Sequence, residues 1–200
     1  FDLDDTLYKE IDYLVSAYHF IVDVIKLDIA DEMLTWYYAG ENVFQRLIDK
    51  YDVKILLAEL LELYHCHEPT ISLTPDAKDL LSNLYNNGVK VGIISDGRSK
   101  TQRNKLKALN LEYIEDVIIS EEFGSEKPCE ANYLYFEKKY LDFHFTYIAD
   151  NIEKDFISPN RLGWTSICVK DDGRNIHKQN INVNEAKKPQ IMIDNLQQLI

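Results

Sequence analysis

This 200-residue sequence predicts an α/β fold, a doubly wound parallel sheet of Rossmann-like type with an inserted α-helical module. Three observations carry that expectation. Between residues 89 and 169, short β-branched runs alternate with helical periods, the pattern of strands joined by crossover helices. Between residues 11 and 66 no such run appears, and apolar residues recur three and four apart instead. Finally, Asp2, Ser95 and Asp150 each fall at the end of an expected strand, the edge at which such sheets bind ligands.

In chain order, Phe1-Asp2-Leu3-Asp4-Asp5-Thr6 reads as the end of a buried strand releasing two acids into a turn. A buried strand usually needs about 4–8 apolar residues, and only Phe1 precedes Asp2, so the strand is expected to begin upstream. Ile11, Leu14, Val15, Tyr18, Val22 and Ile25 then open a bundle of three or four helices, with later segments near 31–50 and 53–66. Thr74-Pro75-Asp76 supplies an N-cap, a proline for the first turn and an early acid, and the helix runs to Asn87 with Gly88 as its stop. Residues 89–94 read as a strand, 95–97 as a turn and 99–109 as a helix. A short strand at 117–119 and a helix at about 129–141 follow. Strand 146–149, a short helix through Phe156 and strand 165–169 continue the alternation, the asparagine-rich stretch 170–188 reads as a surface loop, and 191–196 as a last strand entering a closing helix. The expected division is a sheet-containing core of residues 1–8 and 74–200 and a helical cap of residues 9–73.

Composition narrows the function. A net charge of −12 repels a phosphodiester backbone, so nucleic-acid polymers are not expected partners. Three cysteines without C-x-x-C spacing suit reduced thiols in a cytoplasm, and no apolar run approaches the roughly 20 residues that span a bilayer. The sequence leaves oligomeric state open.

The strand ends bring together chemistry of one kind. Asp2 and Asp4 leave the first, Ser95 with the amides of Asp96 and Gly97 the second, and Asp150 another, with Asp155 five positions on and Lys127 in the loop before a helix. Two ionised carboxylates about 4 Å apart repel by about 4 kcal/mol at an effective dielectric near 20, so a converging set calls for a cation, and oxygen donors suit Mg²⁺. Ser95 and the Asp96 and Gly97 amides suit an anion, and Ser95 equally suits the cap of the helix starting near Ser99. Arg98 and Gln102 fit either a substrate contact or a solvated helix start. Tyr8 and Tyr13 fit either the substrate or the packing where the helical module leaves the core. His65-Cys66-His67-Glu68 offers metal donors but lacks a second cluster, and reads first as a helix end.

Asp-x-Asp-x-Thr at the start, Ser95 ending a second strand, Lys127-Pro128 before a helix and Asp150 ending another strand resemble, in order, the four motifs of the haloacid dehalogenase superfamily. The likeness covers nearly the whole chain, and residues 9–73 look like that family's inserted cap. The resemblance implies that Asp2 is the nucleophile forming an aspartyl-phosphate, and that Asp4 is general acid and then base. It implies that Ser95 and Lys127 hold the phosphoryl group, and that Asp2, the Asp4 carbonyl and Asp150 bind Mg²⁺, with Asp155 supporting the metal's waters or Lys127. The second acid, Asp4, points to the phosphatase and phosphomutase branch. Ala149 and Cys129-Glu130 depart from commoner family residues without touching a reacting atom. The implied activity is Mg²⁺-dependent hydrolysis of a small phosphorylated metabolite, a sugar phosphate or nucleoside monophosphate. A phosphomutase using the same aspartates and a non-catalytic or phospho-acceptor relative are the alternatives.

Overall fold

The computed structural model describes residues 1–111 and 113–200. Its first residues occupy the middle of the sheet. The Phe1 amino nitrogen donates to Gly92 O at 2.8 Å and Ile94 N–H donates to Phe1 O at 2.9 Å, the spacing of a parallel ladder, while Asp2 N–H donates to Ile148 O at 2.9 Å on the other side. This segment joins β1 (Gly92–Ser95) and β2 (Asp116–Ile119) to β3 (Thr146–Ala149), β4 (Thr165–Val169) and β5 (Ile191–Ile193). The order across the sheet is therefore β2, β1, residues 1–2, β3, β4, β5. Each pairing of named strands is parallel, so Ser95, Ile119, Ala149 and Val169 end along one edge.

Alternation along the strands sends neighbours to opposite faces. Ile93, Ile148, Ile167 and Val169 join Ala77, Leu80 and Leu81 of α5 (Pro75–Asn86), whereas Ile94, Tyr147, Ala149 and Cys168 join Tyr133 and Phe136 of α8 (Glu130–Lys139). Helices thus cover both faces, as a buried parallel sheet requires. Thr74 caps α5 by accepting the Ala77 N–H at 3.4 Å.

The helical stretch forms α1 (Glu10–Ile25), α2 (Ala30–Tyr38), α3 (Val43–Tyr51) and α4 (Leu57–Cys66). Their apolar stripes meet in a cluster of their own that includes Leu14, Ile21, Met33, Trp36, Leu47 and Leu60. The two crossings between these helices and the sheet are pinned side by side, because Thr74 N–H donates to Leu7 O at 3.0 Å. Helix α6 (Ser99–Leu109) buries four polar side chains, namely Thr101, Gln102, Asn104 and Lys105. Thr101 Oγ1 donates to His65 O at 3.0 Å, and Asn104 Nδ2 to Cys66 O and His67 O at 3.0 and 2.9 Å, which fastens the end of α4 to the core.

Three expectations shift. The strand expected over 89–94 starts at Gly92, since parallel pairing with β2 begins only opposite Asp116, and Val89 and Lys90 are exposed. The helix expected to close at Phe156 instead begins beyond it, as α9 (Ile157–Arg161). Residues 152–156 are turns tied back on Asn151, whose carbonyl accepts the Asp155 N–H at 3.0 Å. Residues 170–180 are not merely a surface loop, because Asn175 is buried and Gln179 Nε2 donates to the carbonyls of Asp150 and Val169, both at 2.8 Å.

Gly92 lies where β1 passes under α8, and a Cβ built there would stand 2.3 Å from Phe136 Cε1. Gly92→Ala is expected to destabilise the protein by about 1–3 kcal/mol, the usual cost of overpacking. Urea denaturation of the variant checks this, and Phe136→Leu in the same chain is expected to recover part of the loss.

Candidate active site

Lys127 stands at the centre of the site. Its ammonium lies 2.8 Å from Asp2 Oδ1 and 2.8 Å from Asp155 Oδ1, with the lysine side chain only 1% exposed. Asp96 holds the loop that delivers it, accepting the Lys127 N–H on Oδ1 at 3.0 Å while Oδ2 pairs with Lys154 at 2.7 Å. Asp155 is aimed by its own turn, its Oδ2 accepting the Asn151 N–H at 3.1 Å. The segments following three strands are thereby tied together around one cation.

Beyond Asp2 the backbone turns sharply through Asp5, whose φ of 53° is left-handed. Asp5 braces that turn by accepting the N–H of Glu10 on one oxygen and of Ile176 on the other, both at 2.9 Å. The turn presents Asp4 to α6, where Lys105 Nζ reaches its Oδ1 at 2.6 Å, Gln102 Nε2 reaches Oδ2 at 2.9 Å, and the Tyr8 hydroxyl makes a third contact. Gln102 is therefore buried on Asp4, while Arg98 stays exposed. Both tyrosines are buried as well, Tyr13 donating to Tyr64 O at 2.7 Å.

Asp150 completes the group. One oxygen each from Asp2, Asp150 and Asp155 lie within 4.8 Å of one another, and all three residues are buried. Asp155, expected to support the metal's waters or Lys127, pairs with Lys127 and also turns an oxygen toward this cluster. Asp150 Oδ2 accepts from Asn175 Nδ2 at 3.0 Å, and Asn175 Oδ1 accepts from Lys9 Nζ at 2.9 Å. Ser95 Oγ is buried with no partner among the described residues, a costly state that a ligand oxygen would relieve. Gly97, expected to offer its amide to an anion, donates it to Ser120 Oγ at 2.9 Å, so that donor is already used. The His65–Glu68 stretch closes α4: His67 Nδ1 sits 2.8 Å from Tyr64 O and its ring packs on Tyr13.

Set beside known proteins, residues 1–169 match the model of the haloacid dehalogenase-like hydrolases. The chain belongs to that family. It is 26% identical over 188 aligned residues to the glyceraldehyde 3-phosphate phosphatase of Methanocaldococcus jannaschii, covering 84% of this chain and 82% of the relative. It is 32% identical over 101 residues to the ribulose-1,5-bisphosphate 5-phosphatase of Halopiger xanaduensis, covering 48% of this chain and 42% of that one. The crystal structure of the HAD-hydrolase YfnB of Bacillus subtilis, bound to magnesium, superposes with a TM-score of 0.72 at 20% identity, covering 99% of this chain and 94% of that one. The fold is thus that of a haloacid dehalogenase-like hydrolase throughout.

The electrostatics of this hydrolase site follow from burial. Asp2 is raised to about 6 by desolvation, against the pull of Lys127 and with a further push from Asp155. Asp150 is raised to about 9 by desolvation and then by Asp2 and Asp155. Lys127 resists the opposite penalty: burial favours its neutral form, but Asp155 and Asp2 outweigh this and hold it well above the usual lysine value. Asp4 is pushed up by burial too, but the Lys105 charge and the hydrogen bonds from Lys105, Tyr8 and Gln102 prevail, so its net shift is downward.

A carboxyl whose folded pKa lies above its unfolded value stabilises the protein only while protonated. Asp2 and Asp150, at about 6 and about 9, start from an unfolded value of about 3.9. The melting temperature of the chelator-treated protein is accordingly expected to fall as pH rises from about 4 to about 9. Added Mg²⁺ should oppose the fall most strongly at the alkaline end. Thermal melts with EDTA or Mg²⁺ across that range check both.

Proposed function

We propose that this protein is a Mg²⁺-dependent phosphatase that hydrolyses a small sugar phosphate through an aspartyl-phosphate on Asp2. The observation that carries this reading is the convergence of Asp2, Asp150 and Asp155 with the Lys127 ammonium and the unpartnered Ser95 hydroxyl. Three buried carboxylates and one lysine leave an excess of negative charge, and an all-oxygen donor set is what Mg²⁺ takes. Asp2 and Asp150 with Asp155 would hold the ion, together with the Asp4 carbonyl. Mg²⁺ bound there supplies a Lewis acid that neutralises charge on phosphoryl oxygens.

The chain's own groups do the rest. An Asp2 oxygen attacks phosphorus in line while Asp4 gives its proton to the departing ester oxygen, and water then attacks the phosphorus and gives a proton back to Asp4. Lys127 and Ser95 steady the phosphoryl oxygens through both transfers, the stabilisation that phosphoryl chemistry most needs. Asp96 acts through Lys127, whose loop it holds.

The names of two relatives favour a sugar phosphate over a nucleotide, and the negative net charge agrees with a small substrate rather than a polymer. Asp2, Ser95, Lys127 and Asp150 are each less than a tenth exposed, so an ester reaches them only when the covering segments move. Residues 9–73, leaving at Lys9 and returning at Leu73, are the natural cap, closing over the substrate to exclude water. Among the described residues no helix is long and apolar enough to cross a membrane, and the three cysteines are free, which supports a reducing cytoplasm.

Phosphate release from glyceraldehyde 3-phosphate, ribulose-1,5-bisphosphate, nucleoside monophosphates and p-nitrophenyl phosphate, with Mg²⁺ or EDTA, tests the proposal. Turnover is expected with Mg²⁺ and a sugar phosphate; recovery of an isomeric phosphate ester without free phosphate would assign the site to a mutase instead. Asp2→Asn is expected to lower turnover by roughly 10³-fold or more with the fold intact. Asp150→Asn is expected to raise the Mg²⁺ concentration needed for half activity by about tenfold or more, and an unchanged titration would remove the ligand assignment.

A further inference from the structure

Helix α6 spends its buried face on polar groups, and two of them grip Asp4. Lys105 is 2% exposed and Gln102 3%. They stand three residues apart, one turn of helix, and meet different oxygens of the same carboxylate, at 2.6 and 2.9 Å. Gln102 is itself fixed, because its Nε2 also donates to Asp96 O at 2.7 Å. Lys105 lies 4.5 Å from the centre of the Tyr13 ring and pairs with two carboxyl groups, Asp4 at 2.6 Å and Glu10 at 3.7 Å, of which only Asp4 is at hydrogen-bond distance. A buried ion pair is a poor device for stability, since an apolar residue of similar shape commonly does as well. What the pair does supply is orientation: a carboxylate held at both oxygens cannot rotate.

We propose that Lys105 is a positioning residue that aims Asp4 at the reacting oxygens, with Gln102 as its second prong. The inference rests on the phosphatase reading above and deepens it. In the first transfer the Asp2 O–P bond forms, the ester P–O bond breaks and the Asp4 proton goes to the leaving oxygen. In the second, the water O–P bond forms, the Asp2 O–P bond breaks and a water proton goes to Asp4. Lys105 keeps its protons in both. The same face of α6 holds the end of α4 through Thr101 and Asn104, so one rigid element registers the proposed cap against the proposed acid.

Leaving-group dependence separates aiming from mere packing. An alkyl phosphate needs the Asp4 proton to leave, while p-nitrophenolate leaves without it, although hydrolysis of the aspartyl-phosphate needs Asp4 in either case. Lys105→Met is expected to lower kcat on an alkyl phosphate by about 10- to 100-fold, part of what general acid–base catalysis supplies, with KM changed less than about threefold. On p-nitrophenyl phosphate it is expected to show a burst of one nitrophenolate per enzyme followed by slow turnover. Lys105→Arg should stay within about fivefold of wild type, and Gln102→Met should show a weaker version of the same split. Wild-type kinetics in Lys105→Met, or an equal fall on both substrates with no burst, would overturn the inference while leaving the phosphatase intact. Should circular dichroism show Lys105→Met unfolded, wild-type kinetics in Gln102→Met would overturn it. A wild-type protein that released phosphate from no ester would remove the underlying reading and this inference together.

Discussion

A lysine ammonium sealed between two carboxylates sets the terms for everything around it. Lys127 has almost no solvent, and a charge so placed is tolerable only with its counter-charges at hydrogen-bond distance. Asp2 comes from the central segment of the sheet, Asp155 from the turn after β3 and Lys127 from the loop before α8, so the pairing fixes three separate pieces of chain at one point. Removing the lysine strands two buried carboxylates, and breaking a buried pair in this way typically costs about 3–5 kcal/mol, whereas removing either acid leaves Lys127 its other partner. The site and the closure of the sheet edge are in this sense one structure.

The polar interior spreads outward from that point in two directions. Toward α6, Asp4 is clamped by Lys105 and Gln102. Toward the segment after β4, Asp150 is met by Asn175, which Lys9 holds in turn. The two arms place the acids in different electrostatic settings, with Asp4 favoured as an anion and Asp150 favoured as the neutral acid. Acids set apart in this way can divide labour, and in the proposed reaction the Asp4 anion takes the proton of the attacking water and hands it to the next departing ester oxygen.

Much of this could be read from residues near one another in the chain. The alternation that sends Ile93 and Ile94 to opposite faces is local, and so is the coincidence of Asp2, Ser95 and Asp150 with strand ends. What stayed hidden depended on distance along the chain. Lys105 sits about a hundred positions from Asp4 on a helix whose composition reads as solvated, and nothing nearby shows that its polar face turns inward. Asn175 lies in an asparagine-rich stretch whose sequence says loop, and only the fold shows that this loop covers Asp150. The start of β1 differs from expectation for a related reason: Val89 and Val91 have strand propensity, but partners, not propensity, decide where a parallel strand begins.

The hydrogen bond from Thr74 to Leu7 bears on how such a protein can change over evolutionary time. It closes the base of a 66-residue excursion, so the two places where chain enters and leaves the helices α1–α4 stay neighbours whatever lies between them. The entropy of closing such a loop grows only slowly with its length, by about 0.6 kcal/mol for each doubling. Helices between the two anchors can therefore be lengthened, shortened or exchanged while the ladder from Phe1 to Ile94 and Ile148 is left alone, and new tastes in substrate can be acquired without rebuilding the chemistry.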